Sequence, residues 1–429
     1  MVGRVQRLPS LPMALNWVWI GFFTVAFATA VVRWLLGEYG ILQALMTAMF
    51  DGARSGFEIS LGLAGIMALW LGLMRVGERA GMIELLARLA GPLLRRLFPE
   101  VPQGHPAQGA MTMNMSANLL GLDNAATPLG LKAMRELQTL NTEPPGTASH
   151  AQIMFVVMNT AGLTLIPTSV IAIRQSIALK QGLGAGFNAA DIFLPTLLVT
   201  FMALLAGVLA VAVCQRLPLW RARFLLPVLA VGGLLAAAVT ALSQLPAEQA
   251  ARVAGTTGAA VILGVVMLFV LAGAWKRINV YDAFIEGAKE GFGVAIQIVP
   301  YLIAILIAIG VFRAAGCMDF LLSGIGAAVA AMGWNTDFLP ALPVGLMKIL
   351  SGAGARGLMI DVMQTHGVDS FAGRLAAIVQ GSTETTFYVL AVYFGSVGVQ
   401  HARYALACAL FADAVGLAAA IGVGYAMLR

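Results

Sequence analysis

The sequence predicts an all-α polytopic membrane protein: an inverted repeat of about nine transmembrane helices, with two re-entrant hairpins and interfacial helices. Three observations lead there. Of 429 residues, 60% are hydrophobic and only 11% charged, where a soluble protein carries about 25%. The apolar runs are long enough to cross a bilayer, and Lys and Arg gather at their ends. Polar interruptions then recur at corresponding places in two halves of the chain. The formal charge of +6 does not signal nucleic acid, because no Lys/Arg-rich face with interleaved aromatics is present. The expected partners are the lipid bilayer and a small polar solute, with a homo-oligomer left open.

A first span is expected at about Leu15–Leu35 and a second at about Gly56–Met74. Ala26-Phe27-Ala28 resembles a signal-peptidase site, but the apolar run continues through Val31, so the segment reads as a retained span. Residues Gly77–Glu100 interleave Arg79, Glu84, Arg88, Arg95 and Arg96 with Leu and Ile at helical spacing. Five charges make a span costly, so an amphipathic interfacial helix is expected. Met111–Met134 is too polar to cross and too apolar for a solvent loop, as befits a segment that dips into the membrane and turns back. A third span, about Ala151–Ile173, is interrupted by Asn159-Thr160-Ala161-Gly162 and Pro167-Thr168-Ser169. Further spans follow at about Ile192–Cys214, Phe224–Leu242, Gly258–Ala274 and Gly293–Val311, then a short interfacial or partial helix at Phe320–Met332. Pro340–Met363 is a second hairpin-like region. An eighth span, about Leu375–Phe394, is broken by Gly381-Ser-Thr-Glu-Thr-Thr386, and a ninth runs about Tyr404–Met427.

The halves match. Gly52-Ala-Arg-Ser-Gly-Phe57 aligns with Gly287-Ala-Lys-Glu-Gly-Phe292 at an offset of 235, and Gly81 then meets Gly316. Both copies run span, interfacial helix, polar hairpin, interrupted span, plain span. The division expected is a first repeat over 1–220, a linker transmembrane helix over 221–250 and a second repeat over 251–429. Five crossings separate equivalent points, and five is odd, so the copies are inverted. Arg4/Arg7, the Arg75–Arg135 region, Arg216/Arg221/Arg223 and Lys276/Arg277 all fall on one side. The positive-inside rule makes that side cytoplasmic, giving a multi-pass inner-membrane protein with a cytoplasmic N-terminus.

In such a fold, hairpins and unwound spans converge near the midplane, where freed amides and carbonyls become ligands. The candidate substrate ligands are Asn114, Ser116, Asn118 and Asn124 in the first hairpin, Asn159, Thr160 and Thr164 in the first break, Ser351 in the second hairpin, and Ser382, Thr383 and Thr385 in the second break. Asn159, Thr160 and Thr164 can instead bond back to their own helix. Glu384 is a carboxylate inside an apolar run, where ionisation costs roughly 2.5–3.5 kcal/mol without a partner. It is a candidate ligand for a coupling ion, H⁺ or Na⁺, unless it pairs with Lys348 or Arg356. Asp123 is a second candidate, or a helix cap. Asp361 and Asp413 carry less signal. Lys348 and Arg356 either snorkel or bind an anion. Cys214, Cys317 and Cys408 have no metal or redox spacing, and His105, His150, His366 and His401 form no ligand motif. No metal site, catalytic site or organic cofactor is expected, no ATP-binding loop exists, and the chain reads as a non-enzyme.

Asn114-Met-Ser-Ala-Asn118 and the residues through Met134, NMSANLLGLDNAATPLGLKAM, resemble the hallmark of the spore maturation protein A family. LMKILSGAGARGLM and VQGSTETTFYVLAVYFGSVGV resemble the spore maturation protein B family. The chain looks like a fusion of the two, over nearly its whole length. These families carry the nucleoside recognition (Gate) domain, similar to parts of concentrative nucleoside transporters and of ferrous iron transport protein B. The resemblance implies a site at Asn114–Asn124, Asn159–Thr164, Ser351–Gly357 and Ser382–Thr386. The nucleoside transporters' ligand pattern is not matched residue by residue, so a nucleoside-like solute is one option among small polar solutes. The alternative is a non-transporting membrane factor in envelope or spore maturation that acts through partners.

Overall fold

A computed structural model describes residues 11–428, apart from 121–122, 185, 218–228, 235–236, 238–239, 242–243 and 245–246. The described chain is helical, and six helices are long and apolar enough to cross a membrane. It is a polytopic membrane protein. The order is α1 (Leu11–Leu35), α2 (Ile41–Arg79), α3 (Met82–Leu97), α4 (Pro106–Leu119), α5 (Asp123–Gln138), α6 (His150–Thr160), α7 (Thr168–Lys180) and α8 (Phe193–Cys214). After the linker come α9 (Ala247–Trp275), α10 (Val280–Ala314), α11 (Cys317–Ala331), α12 (Leu342–Leu350), α13 (Gly352–His366), α14 (Phe371–Gly381), α15 (Thr386–Gly395) and α16 (Ala405–Met427). The six long apolar helices are α1, α2, α8, α9, α10 and α16. Large apolar side chains on them, such as Phe27, Leu61, Leu263 and Phe292, stay exposed, as a lipid-facing surface requires. The expected span at Phe224–Leu242 lies for the most part outside the described residues.

Two expectations need correction. The second and seventh spans are far longer than their apolar cores: α2 has 39 residues and α10 has 35. Their charged ends continue as helix because the charges find partners across elements. Arg75 pairs with Glu78 and Glu286, Arg79 with Glu286, and Glu58 with Arg54 and Lys180.

α2 and α10 pack antiparallel along most of their length. A Cβ on Gly52 would sit 3.0 Å from the Ile307 amide nitrogen, and one on Gly56 would sit 3.0 Å from Ile303 Cα. A Cβ on Gly291 would lie 2.5 Å from the Met67 carbonyl oxygen, and one on Gly287 would lie 2.6 Å from Arg75 Cβ. The two matching glycine pairs of the sequence thus grip opposite ends of one helix–helix contact, where only a missing side chain lets the backbones approach. Gly81 and Gly316 also act alike. Each adopts a left-handed conformation (φ +76° and +82°) that turns a long helix into its short neighbour, α3 or α11.

The short elements come in pairs. α4 and α5 have 14 and 16 residues and α12 and α13 have 9 and 15. At 1.5 Å per residue, each is at most about 24 Å long, short of a hydrocarbon core of about 30 Å. α6/α7 and α14/α15 are two helices broken at 161–167 and 382–385. The core divides accordingly. One buried cluster joins α4, α5, α6 and α15, and another joins α7, α12, α13 and α14, with α16 running through both. Each break lies where one cluster gives way to the other.

Loops tie the halves twice. Gln400 N–H donates to Gly146 C=O (2.7 Å), Ala148 N–H to His401 C=O, and Arg403 pairs with Glu143. In the second tie, Gln181 donates to Met363 C=O and accepts from Val368 N–H, while buried Arg174 pairs with Asp191.

Candidate functional site

The two breaks and the two hairpin tips meet. Leu165 N–H in the first break donates to Leu119 C=O at the end of α4 (2.8 Å). In the second copy Thr385 Oγ1 lies 2.7 Å from where a Cβ on Gly352 would sit, at the tip between α12 and α13. The breaks also touch each other: Glu384 N–H donates to Thr160 C=O (2.8 Å). That bond occupies a carbonyl that the end of α6 would otherwise leave unpaired.

A buried amide network lies on the α6 side. Asn118 Nδ2 donates to Asn159 Oδ1 (2.8 Å), which also accepts from the Tyr393 hydroxyl (3.2 Å). Asn159 Nδ2 donates to Phe155 C=O, and Asn114 Nδ2 donates to Ala126 C=O and Tyr393 Oη. The network ties α4, α5, α6 and α15 together, and leaves Asn114 Oδ1 as a buried acceptor without a partner among the described residues.

A cavity of about 60 Å³ lies beside it. Thr164, Thr168 and Ser169 line it from the first break, Gln380, Thr383 and Glu384 from the second, and Lys348 and Arg356 from α12 and α13. α7 starts at this cavity. Its N-cap is Pro167, which offers no side-chain acceptor. Lys348 is 7% exposed, so it is buried rather than snorkelling. No ion pair joins it to Glu384 among the described residues, and its charge acts on Asp413. Asp413 is buried in α16. Thr386 Oγ1 donates to one of its carboxylate oxygens (2.6 Å), while the other has no partner. A larger cavity of about 350 Å³ lies apart, between amphipathic α3 and α4.

The candidate residues therefore separate. Thr164, Thr383 and Glu384 reach the cavity; Asn114, Asn118 and Asn159 form the network. Ser116, Thr160 and Ser382 donate to carbonyls of their own helices, those of Thr112, Val157 and Val379. Ser351 Oγ accepts from Gly354 N–H and caps α13. The side chains of Asp123 and Asn124, at the start of α5, lie outside the described residues. Asp361 pairs with Arg313 through two hydrogen bonds. Tyr393, Gln380 and Asp413 were not singled out as site residues. The signal for Asp413 was present, since an acid in the body of an apolar span is expensive.

Comparison with known proteins agrees with this geometry. The nucleoside recognition (Gate) family matches residues 60–176 and 295–400, which hold both hairpins and both breaks. The chain is 37% identical to spore maturation protein A of Bacillus subtilis over 188 residues, covering 44% of this chain and 89% of that protein. It is 43% identical to spore maturation protein B of the same organism over 151 residues, covering 35% of this chain and 83% of that protein. The chain belongs to the nucleoside recognition (Gate) family, with the spore maturation proteins A and B as relatives.

Proposed function

We propose that this protein is an ion-coupled secondary transporter or exchanger of a small polar solute. The observation that carries the reading is a polar cavity lined by both helix breaks and by Lys348 and Arg356 of the second hairpin, holding a membrane carboxylate, Glu384, while the first hairpin bonds to the first break through Leu119. Both hairpins are re-entrant in this reading, and the copies, 1–220 and 251–429, are inverted about the linker helix at 221–250. The antiparallel packing of equivalent helices α2 and α10 supports the inversion. The protein sits in the inner membrane with its N-terminus cytoplasmic, and does no enzymatic chemistry. Glu384 takes the coupling ion, H⁺ or Na⁺, and Thr164 and Thr383 contact the solute. The experiment is uptake into proteoliposomes with and without a proton or sodium gradient. Glu384→Gln is expected to abolish the gradient-driven component, and intact coupled uptake in that variant would remove Glu384 from the role.

The names of the relatives favour a second reading, a non-transporting factor in envelope or spore maturation that acts through partners. It expects hairpin substitutions to matter less than changes at the exposed residues of the segment Arg95–Gly109, such as Arg95, Glu100 and Gln103. Complementation of a deletion strain with both sets of variants separates the two.

A further inference from the structure

We propose that the solute held between the breaks is a small carboxylate. This rests on the transport-site reading above and narrows its substrate class. Lys348 lines the cavity at 7% exposure and makes no hydrogen bond or ion pair among the described residues. Asp413 is its anionic neighbour within the protein, but among the residues that line the cavity the carboxylate is that of Glu384. Arg356 brings a second cation to the same cavity. The first turn of α7 points the same way. Pro167 is the N-cap with no side-chain cap, and Thr168, Ser169 and Val170 line the cavity at the positive end of this 13-residue helix.

The cavity also offers acceptors. Gln380 is 4% exposed and its Oε1 has no hydrogen-bond partner among the described residues, and Glu384 shares the lining with it. A carboxylate fits the cations and amides. A hydroxyl or ammonium on the same molecule, or the coupling cation, fits Gln380 and Glu384. The solute's negative charge then meets Lys348 and Arg356 on the cavity side, with Asp413 behind Lys348, and the coupling cation meets Glu384. Size restricts the class further. About 60 Å³ is well below the roughly 300–1,000 Å³ of pockets for drug-sized ligands, so the site suits a solute of a few heavy atoms. A neutral nucleoside has neither the charge nor the size.

The test is equilibrium binding to the full-length protein in nanodiscs, using labelled acetate, lactate, glycine, inorganic phosphate and uridine. At least one carboxylate probe is expected to bind saturably. Lys348→Gln should weaken it by about tenfold or more, the effect of losing a charge-assisted hydrogen bond. Should Lys348→Gln not fold, judged by its melting curve, Arg356→Gln carries the same expectation and Lys348→Arg should retain binding. Binding of uridine or phosphate without any carboxylate, undiminished binding in the folded variants, or no binding of any probe overturns the proposal. No gradient is needed, so the two readings fail separately. Carboxylate binding without uptake removes the transport reading and leaves this site standing; coupled uptake of a solute lacking a carboxylate does the reverse.

Discussion

Gly291→Ala tests the central helix pair most directly. The added Cβ would lie 2.5 Å from the Met67 carbonyl oxygen, 2.7 Å from its carbonyl carbon and 2.8 Å from Ala68 Cα. An uncrowded C···O approach is about 3.3 Å, so the first contact is short by roughly 0.8 Å. All three atoms are backbone, so no side chain can swing aside and α2 must move from α10. Overpacking of this kind costs about 1–3 kcal/mol. Replacing glycine in a helix also gains about 1 kcal/mol of intrinsic propensity, which confuses a single comparison. Gly293→Ala supplies the control. It carries the same propensity gain two residues away, where a Cβ would meet nothing within 4 Å. The difference between the two variants therefore reports the packing term alone. Thermal unfolding of both in detergent should place Gly291→Ala lower by a few degrees. Equal midpoints would refute the close packing and remove the support that it gives to the proposed inversion.

Other outcomes follow from the same structure. Arg313→Ala should destabilise by about 3 kcal/mol, the low end for a half-buried pair, because it strands Asp361; a melt of Arg313→Ala/Asp361→Ala should recover part of that loss. Cys214 and Cys408 have sulfurs 3.9 Å apart and need about 2 Å of closure to form a disulfide. Maleimide labelling after mild oxidation and denaturation should therefore find Cys214 and Cys408 blocked within one chain, and retention of both thiols would contradict the packing of α8 on α16. A C-terminal reporter fusion should read as non-cytoplasmic, and a cytoplasmic signal would break the count of crossings.

The architecture was legible because its signals are periodic and repeated. Gly52/Gly56 and Gly287/Gly291, aligned in the sequence only as a repeat, lie in one contact of α2 with α10, and the aligned Gly81 and Gly316 make two similar turns. What the sequence hid was partnership. The true lengths of α2 and α10 depend on Arg75, Arg79 and Glu286 meeting across elements. No apolar window can register that. The same limit applies to the site. Asn114, Asn118 and Asn159 looked like ligands, yet they bond one another and Tyr393, a residue inside what reads as plain span. Ser116, Thr160 and Ser382 carry the right chemistry and spend their protons on their own helices. Composition sets which groups are available. Only the fold decides which of them remain unspent, as at Gln380, Lys348 and Asp413.

The glycine contact between α2 and α10 also has a bearing on how the chain is made. Gly52 and Gly56 leave the ribosome long before Ile303 and Ile307 exist. At about 5–20 residues per second, the wait is roughly 12–50 s. Throughout it, α2 carries a groove shaped for a helix not yet translated, and must be shielded by lipid or an insertase. The first half is thus an incomplete object on its own. Expressed as separate polypeptides, the halves should accumulate only when produced together.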